Sequence, residues 1–118
     1  MRYLTPHAII LLGILGLISG RWSEELSLVL IGLGHLLVPI WSAKLAEPKT
    51  QLRAVLIGPG LVIAAHLVGI VGSWLALIGG HPEDRWLSFM MLAVWTVAVI
   101  AYAVYCAIAF AIVTRVRR

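Results

Sequence analysis

The amino-acid sequence predicts an all-α integral membrane protein, a four-helix antiparallel bundle with its N-terminus and its C-terminus both in the cytoplasm. Hydrophobic residues make up 62% of the 118 residues and charged residues only 12%, and the mean hydropathy is +1.04. A soluble domain of this size could not keep so much apolar surface from water, so residues 1–118 are expected to form a single transmembrane domain. The apolar stretches are continuous and do not alternate, which favours helices over a barrel.

Short clusters of charge separate four apolar runs, at residues 4–20, 26–43, 52–79 and 86–114. A spanning helix needs about 20 residues, so the first two runs are short and the last two have length with which to tilt or project past the bilayer. All the connections are short, which favours antiparallel neighbours. In the last connection, Gly79 and Gly80 are expected to end the third helix, and Pro82 or the following acids to start the fourth.

Lysine and arginine set the orientation, because acidic residues contribute little to it. A four-span topology puts seven of them on the side of the termini, Arg2, Lys44, Lys49, Arg53, Arg115, Arg117 and Arg118, against Arg21 and Arg85 on the other. Both termini are therefore expected on the cytoplasmic side of a bacterial cytoplasmic membrane. The same bias explains the net charge of +4, so no nucleic-acid partner is implied. The first run loosely resembles a secretory signal, but the Arg21–Trp22 pair favours retention of that span.

Small residues mark faces on which helices can approach closely. The predicted packing residues are Gly16 and Gly20 in the first span, Gly69 and Ser73 in the third, and Ala103 and Ala107 in the fourth. These faces suit contact within the bundle, a homo-oligomer or a membrane-protein partner. Gly58-Pro59-Gly60 is expected to kink the third span or to begin its helix, or else to form a discontinuous helix that lines a site.

Two histidines are the titratable residues at depth, since no Asp, Glu, Lys or Arg lies deep in any apolar run. His35 lies ten residues from Glu25, which corresponds to about 15 Å of helix. His66 lies thirteen residues from Arg53, and is also near mid-bilayer. The second and third spans are expected to be antiparallel neighbours, so the two histidines can face each other, with Trp95 at comparable depth.

Three interpretations of this pair remain open. In the first, His35 and His66 are the axial ligands of a haem b iron, and Trp95 packs against the same centre. In the second, each histidine hydrogen-bonds a neighbouring helix and serves packing alone. In the third, the pair contacts a partner subunit or a quinone-like or chlorophyll-like ligand. The sequence lacks C-x-x-C-H, which excludes covalent attachment of haem.

Other polar residues are weaker candidates. His81 with Glu83 and Asp84 has the chemistry of a divalent-ion site, but a solvated turn explains these residues as well. Tyr102 and Tyr105 are expected to hydrogen-bond across the bundle. Cys106 is expected to be an inert apolar residue of the fourth span.

The sequence predicts a non-enzymatic subunit or assembly factor of a larger membrane complex. It has almost no extramembrane surface and no acidic residue at depth with which to couple ions. The two alternatives are a b-type haem-binding electron-transfer protein and a small-molecule transporter.

Overall fold

A computed structural model describes residues 2–80 and 85–117, and these residues are helical apart from short turns. The order is a 3₁₀ turn at Arg2–Leu4, α1 at Thr5–Ser19, α2 at Glu24–Leu45, α3 at Gln51–Val55, a π-helical turn at Leu56–Gly60, α4 at Leu61–Gly79 and α5 at Arg85–Arg117. The roles predicted for His81, Pro82, Glu83, Asp84 and Arg118 lie outside the described residues.

Among the described residues, four helices are long and apolar enough to cross a membrane, as the sequence predicts: Arg2–Ser19, Glu24–Leu45, Gln51–Gly79 and Arg85–Arg117. The all-helical class and the number of candidate spans are thereby confirmed. With 33 residues, α5 is about 50 Å long, which exceeds the hydrocarbon thickness of about 30 Å. A helix of this length that crosses a bilayer tilts or extends beyond it.

The ends of α1 and α2 are capped by local groups. Gly20 ends α1 in the left-handed conformation, with φ 62°, which glycine adopts without steric cost. Ser23 caps the start of α2, because its hydroxyl accepts a hydrogen bond from the Leu26 amide at 3.2 Å. At the other end of α2 the Arg117 guanidinium donates to the carbonyls of Lys44 and Ala46 at 2.5 and 2.6 Å. A cation at this end also complements the helix dipole.

Helix α2 packs along α1 and α5, and α5 also packs against α4. One buried cluster draws a residue from each candidate span: Ile10, Val38 and Val62, with Tyr102 packed against them. A second cluster joins only α4 and α5, through Ile70, Leu92 and Val99 with neighbouring aromatic rings. The first cluster is therefore where all four spans meet.

Glycines set the close contact between α1 and α2. A Cβ on Gly13 would lie 2.8 Å from Ile31 Cγ1, and one on Gly16 would overlap the Trp22 ring. A Cβ on Gly34, which sequence reasoning did not single out, would overlap Ile10. The packing role expected of Gly20 needs correction, because a Cβ there would meet nothing within 4 Å. The helix ends one residue earlier, so Gly20 serves as its cap.

The small residues of the last two spans differ in their surroundings. A Cβ on Gly69 would lie 2.8 Å from Trp95 Cη2, so this glycine makes room for the indole. Ser73 turns its hydroxyl onto its own helix and donates to the Gly69 carbonyl at 2.8 Å. Ala103 is half-buried, whereas Ala107 is exposed and meets little of this chain. The Ala107 face of α5 is therefore turned outward.

Pro59 lies inside the π-helical turn. The residues on either side keep right-handed helical angles, with φ −66° and ψ −44° at Val55 and φ −64° and ψ −42° at Leu61. A π turn re-pairs the backbone where a proline removes an ordinary helical bond. Of the structures expected here, the chain adopts a local distortion within one continuous helix, and the helix does not begin at Pro59.

Candidate functional site: a histidine pair between the helices

The structure brings His35 of α2 and His66 of α4 into direct contact. Their Nε2 atoms lie 3.0 Å apart, and the ring centroids are 5.3 Å apart with the rings inclined by 48°. A separation of 3.0 Å between nitrogens is a hydrogen-bond distance. One ring must therefore donate its N–H to the other.

Trp95 fixes the direction of that bond. Its indole Nε1 lies 3.3 Å from His66 Nδ1, and an indole N–H can only donate. The Nδ1 of His66 is therefore the acceptor, and neutral His66 carries its proton on Nε2. It follows that His66 Nε2–H donates to Nε2 of His35.

His35 completes the chain of hydrogen bonds. Its Nε2 accepts, so its proton is on Nδ1, which lies 2.7 Å from the carbonyl oxygen of Ile31. A carbonyl oxygen can only accept, so this assignment is self-consistent. The donors and acceptors run in one direction, from Trp95 through His66 and His35 to Ile31, and every nitrogen of both imidazoles has a partner. The chain links α5, α4 and α2.

Pro39 creates a second link between α2 and α5. A proline has no N–H, so the carbonyl four residues earlier, that of His35, lacks its helical donor. The Tyr102 hydroxyl donates to this carbonyl at 2.8 Å. One turn further along α5, Tyr105 donates to the Leu36 carbonyl at 2.8 Å. Both tyrosines bond across helices, and for Tyr102 the sequence signal of the acceptor is the proline inside the second span.

His7 of α1 serves the distorted part of the third span, a role that sequence reasoning missed. Its Nε2 lies 3.1 Å from the Gly58 carbonyl, to which it must donate. The Nδ1 of His7 is buried and has no hydrogen-bond partner among the described residues. A π-helical turn shifts backbone carbonyls from their ordinary helical positions. A side-chain donor such as His7 is therefore expected beside it.

A groove of about 400 Å³ opens beside the histidine pair. Aliphatic side chains of α1, α2 and α4 line most of it, and His7, His35 and His66 form part of its wall. Its volume falls in the usual range for sites that hold small molecules. The groove therefore places three imidazoles beside a space that suits an apolar molecule.

The geometry of the pair bears directly on haem. An imidazole nitrogen bonds a metal at about 2.0–2.1 Å, so two axial nitrogens on opposite sides of one iron stand about 4 Å apart. The 3.0 Å between the Nε2 atoms leaves no such space. Binding of haem b would require His35 and His66 to separate by about 1 Å and to give up their mutual hydrogen bond.

No group of three or more His, Cys, Asp or Glu side chains suited to a metal occurs in residues 2–80 and 85–117. The divalent-ion site considered at His81, Glu83 and Asp84 falls outside these ranges. Cys106 is a buried free thiol in α5. Within the described residues, the histidine pair is therefore the place where the haem hypothesis can be tested.

No protein-family model, no curated protein and no solved structure matches the chain.

Proposed function

We propose that this chain is a non-enzymatic subunit or assembly factor of a larger membrane complex. The observation that carries the proposal is the chain of hydrogen bonds through His66 and His35. The polar side chains near the middle of the spans are engaged with one another and with backbone carbonyls. Groups used in this way hold helices together, which is what a scaffold for other helices requires.

Charge supports the same function. Apart from Arg53 at the start of the third run, the apolar runs 4–20, 26–43, 52–79 and 86–114 contain no Asp, Glu, Lys or Arg. Transporters that couple to ions, and proton pathways, use ionisable side chains inside the membrane. A scaffold that positions other helices needs none, so the subunit function accounts for the composition better than small-molecule transport does.

We place the helices as an antiparallel bundle with both termini on the cytoplasmic side. The Trp41 indole donates to the Arg2 carbonyl at 2.9 Å, and Arg117 donates to carbonyls at the end of α2. These contacts support a single end that carries both termini and the loop after α2, where the basic residues concentrate. Reporter fusions after residue 118 and within residues 80–84 should report opposite sides of the membrane. The same side for both would refute this topology.

The outward alanines of α5 offer a surface for a partner. Ala107 and Ala111 are exposed and lie one turn apart on one face of the helix. Small residues at this spacing let another helix approach closely in lipid. A partner that is itself a membrane protein, or a second copy of this chain, would bury this face.

Native purification in mild detergent tests the proposal. A photo-crosslinking residue at Ala107 should capture a partner of fixed mass and stoichiometry. The same residue at Ala101 should not, because Ala101 is also exposed but lies about a third of a turn away around α5. A lone monomer that transports solute robustly in liposomes would refute the subunit function.

Ligand binding at the histidine pair is the second candidate function, and the groove beside the pair is the observation that favours it. A haem b bound by His35 and His66 would make the protein an electron-transfer protein, and a quinone-like molecule would occupy the groove without parting the rings. An absorption spectrum after haem-replete expression, followed by solvent extraction and mass spectrometry, separates these outcomes. A Soret band lost in His66→Phe supports haem. A colourless protein with no extractable ligand excludes both candidates.

A further inference from the structure

A small pocket lies where the N-terminus meets the loop after α2. Its volume is about 250 Å³, and its lining includes the side chains of Arg2, Tyr3, Glu47, Thr50 and Arg53. Two arginines and one glutamate thus line the same space, which gives the lining a net charge of +1. The pocket is electropositive.

Local structure holds the pocket open and leaves its cations available. The Thr50 hydroxyl accepts from the Glu47 amide at 3.0 Å and lies 3.3 Å from the Glu47 carbonyl, so it shapes the turn. The backbone of Arg2 is held by the Trp41 indole at 2.9 Å. Arg2 and Arg53 are both exposed. Their guanidinium groups are therefore the parts of the pocket best placed to receive a ligand.

We propose that this pocket binds the phosphate of an anionic phospholipid. Arginine presents a planar set of donors that matches phosphate oxygens. Tryptophans such as Trp41 favour the level of the lipid headgroups, and this indole is bonded to the pocket's own Arg2.

Exposed leucines close to Arg53 in the chain favour a lipid over a soluble phosphate. Leu52 is 73% exposed and Leu56 is 60% exposed, and Leu52 adjoins Arg53 in the chain. Exposed leucines at the membrane surface suit acyl chains, whereas a soluble phosphate has nothing to place against them. A phosphate with an attached glycerol also suits a pocket of 250 Å³. The ligand class is therefore a phospholipid with a net negative headgroup.

Native mass spectrometry of the full chain, released from nanodiscs that contain equal amounts of phosphatidylglycerol and phosphatidylcholine, tests the site. Phosphatidylglycerol should remain bound in preference to phosphatidylcholine. Arg2→Gln and Arg53→Gln should each lower its retention about tenfold, the factor lost with one charge-assisted hydrogen bond to the phosphate. Glu47→Gln should raise its retention, since it removes the carboxylate from the pocket.

Lys49→Gln is the matched control, because Lys49 lies in the same loop and does not line the pocket. Equal retention of the two lipids, or an equal loss in Lys49→Gln and Arg53→Gln, would overturn the proposal. A second arm uses glycerol-1-phosphate and inorganic phosphate with protein in lipid-free detergent. Binding of either with the same dependence on Arg2 and Arg53, and with affinity equal to that of the lipid, would assign the site to soluble phosphates. Circular dichroism of each variant checks that the helices persist.

Discussion

Removal of the Tyr102 hydroxyl should destabilise the protein by an amount that depends on residue 39. Tyr102 supplies the hydrogen bond that Pro39 cannot give to the His35 carbonyl. In Tyr102→Phe this carbonyl loses its side-chain donor while Pro39 is still in place. In the Pro39→Ala background the new amide of residue 39 can donate to the same carbonyl, so the tyrosine becomes dispensable.

The magnitude follows from the cost of leaving one carbonyl without a donor. A buried unsatisfied group costs about 1–3 kcal/mol, and hydrogen bonds between membrane helices average about 0.6 and reach about 1.7 kcal/mol. We therefore expect Tyr102→Phe to lower the free energy of unfolding by about 1 kcal/mol with Pro39 present. In the Pro39→Ala background the loss should fall below about 0.3 kcal/mol, since the backbone then replaces the lost donor.

Unfolding in mixed micelles of increasing SDS content measures the four corners of this double-mutant cycle. Pro39 is fully buried, and the cavity left by Pro39→Ala is present on both sides of the comparison, so it cancels. Tyr105→Phe is the control, because the acceptor of Tyr105 is the Leu36 carbonyl and Ile40, four residues on, still has its amide. Equal losses for Tyr102→Phe in both backgrounds would show that the proline and the tyrosine are not coupled.

Three further predictions follow from the contacts around the histidine pair and at the end of α2. Gly69→Ala should lower the free energy of unfolding by about 1–3 kcal/mol through overpacking, because the new Cβ would lie 2.8 Å from the Trp95 ring. Gly72→Ala, with open space at its Cβ, should be neutral or stabilising in the same SDS titration. Nitrogen-15 NMR should find His66 protonated on Nε2 only, and Trp95→Phe should remove the hydrogen-bond donor to His66 Nδ1. A proton on Nδ1 of His66 would contradict the assigned direction of the hydrogen bond between the two histidines. Arg117→Gln should speed amide exchange in the last turn of α2, because two carbonyls there lose a charged donor; unchanged exchange would mean that this cap is dispensable.

Much of the fold could be predicted from composition because the bilayer imposes one simple rule on the chain. Long apolar runs must form helices that satisfy their own backbone, and charges collect between them. The rise of a helix per residue also places His35 and His66 at matched depth. Each residue adds a fixed rise to a helix, so the depth of a residue along its span can be calculated from its position in the sequence.

The arrangement of the site could not be read in this way, because it depends on distances between helices and on the direction of side chains. Matched depth suits a metal between two imidazoles as well as a hydrogen bond between them, and only the 3.0 Å separation distinguishes these arrangements. Gly16 and Gly20 share one sequence pattern, yet Gly16 packs against α2 and Gly20 ends the helix. The spacing of two glycines does not predict the residue at which a helix ends.

The π-helical turn at Leu56–Gly60 sets which way the rest of the third span faces. A π turn holds one residue more than an α turn, and each residue added to a helix rotates everything beyond it by about 100°. His66 and Gly69 lie beyond this turn, so their alignment with His35 and Trp95 depends on the residue that it contains in excess. Deletion of Gly60 would keep every side chain of α4 and yet aim His66 away from its partner. The π-helical turn thus sets the rotational orientation of α4, and the contact between His35 and His66 depends on that orientation.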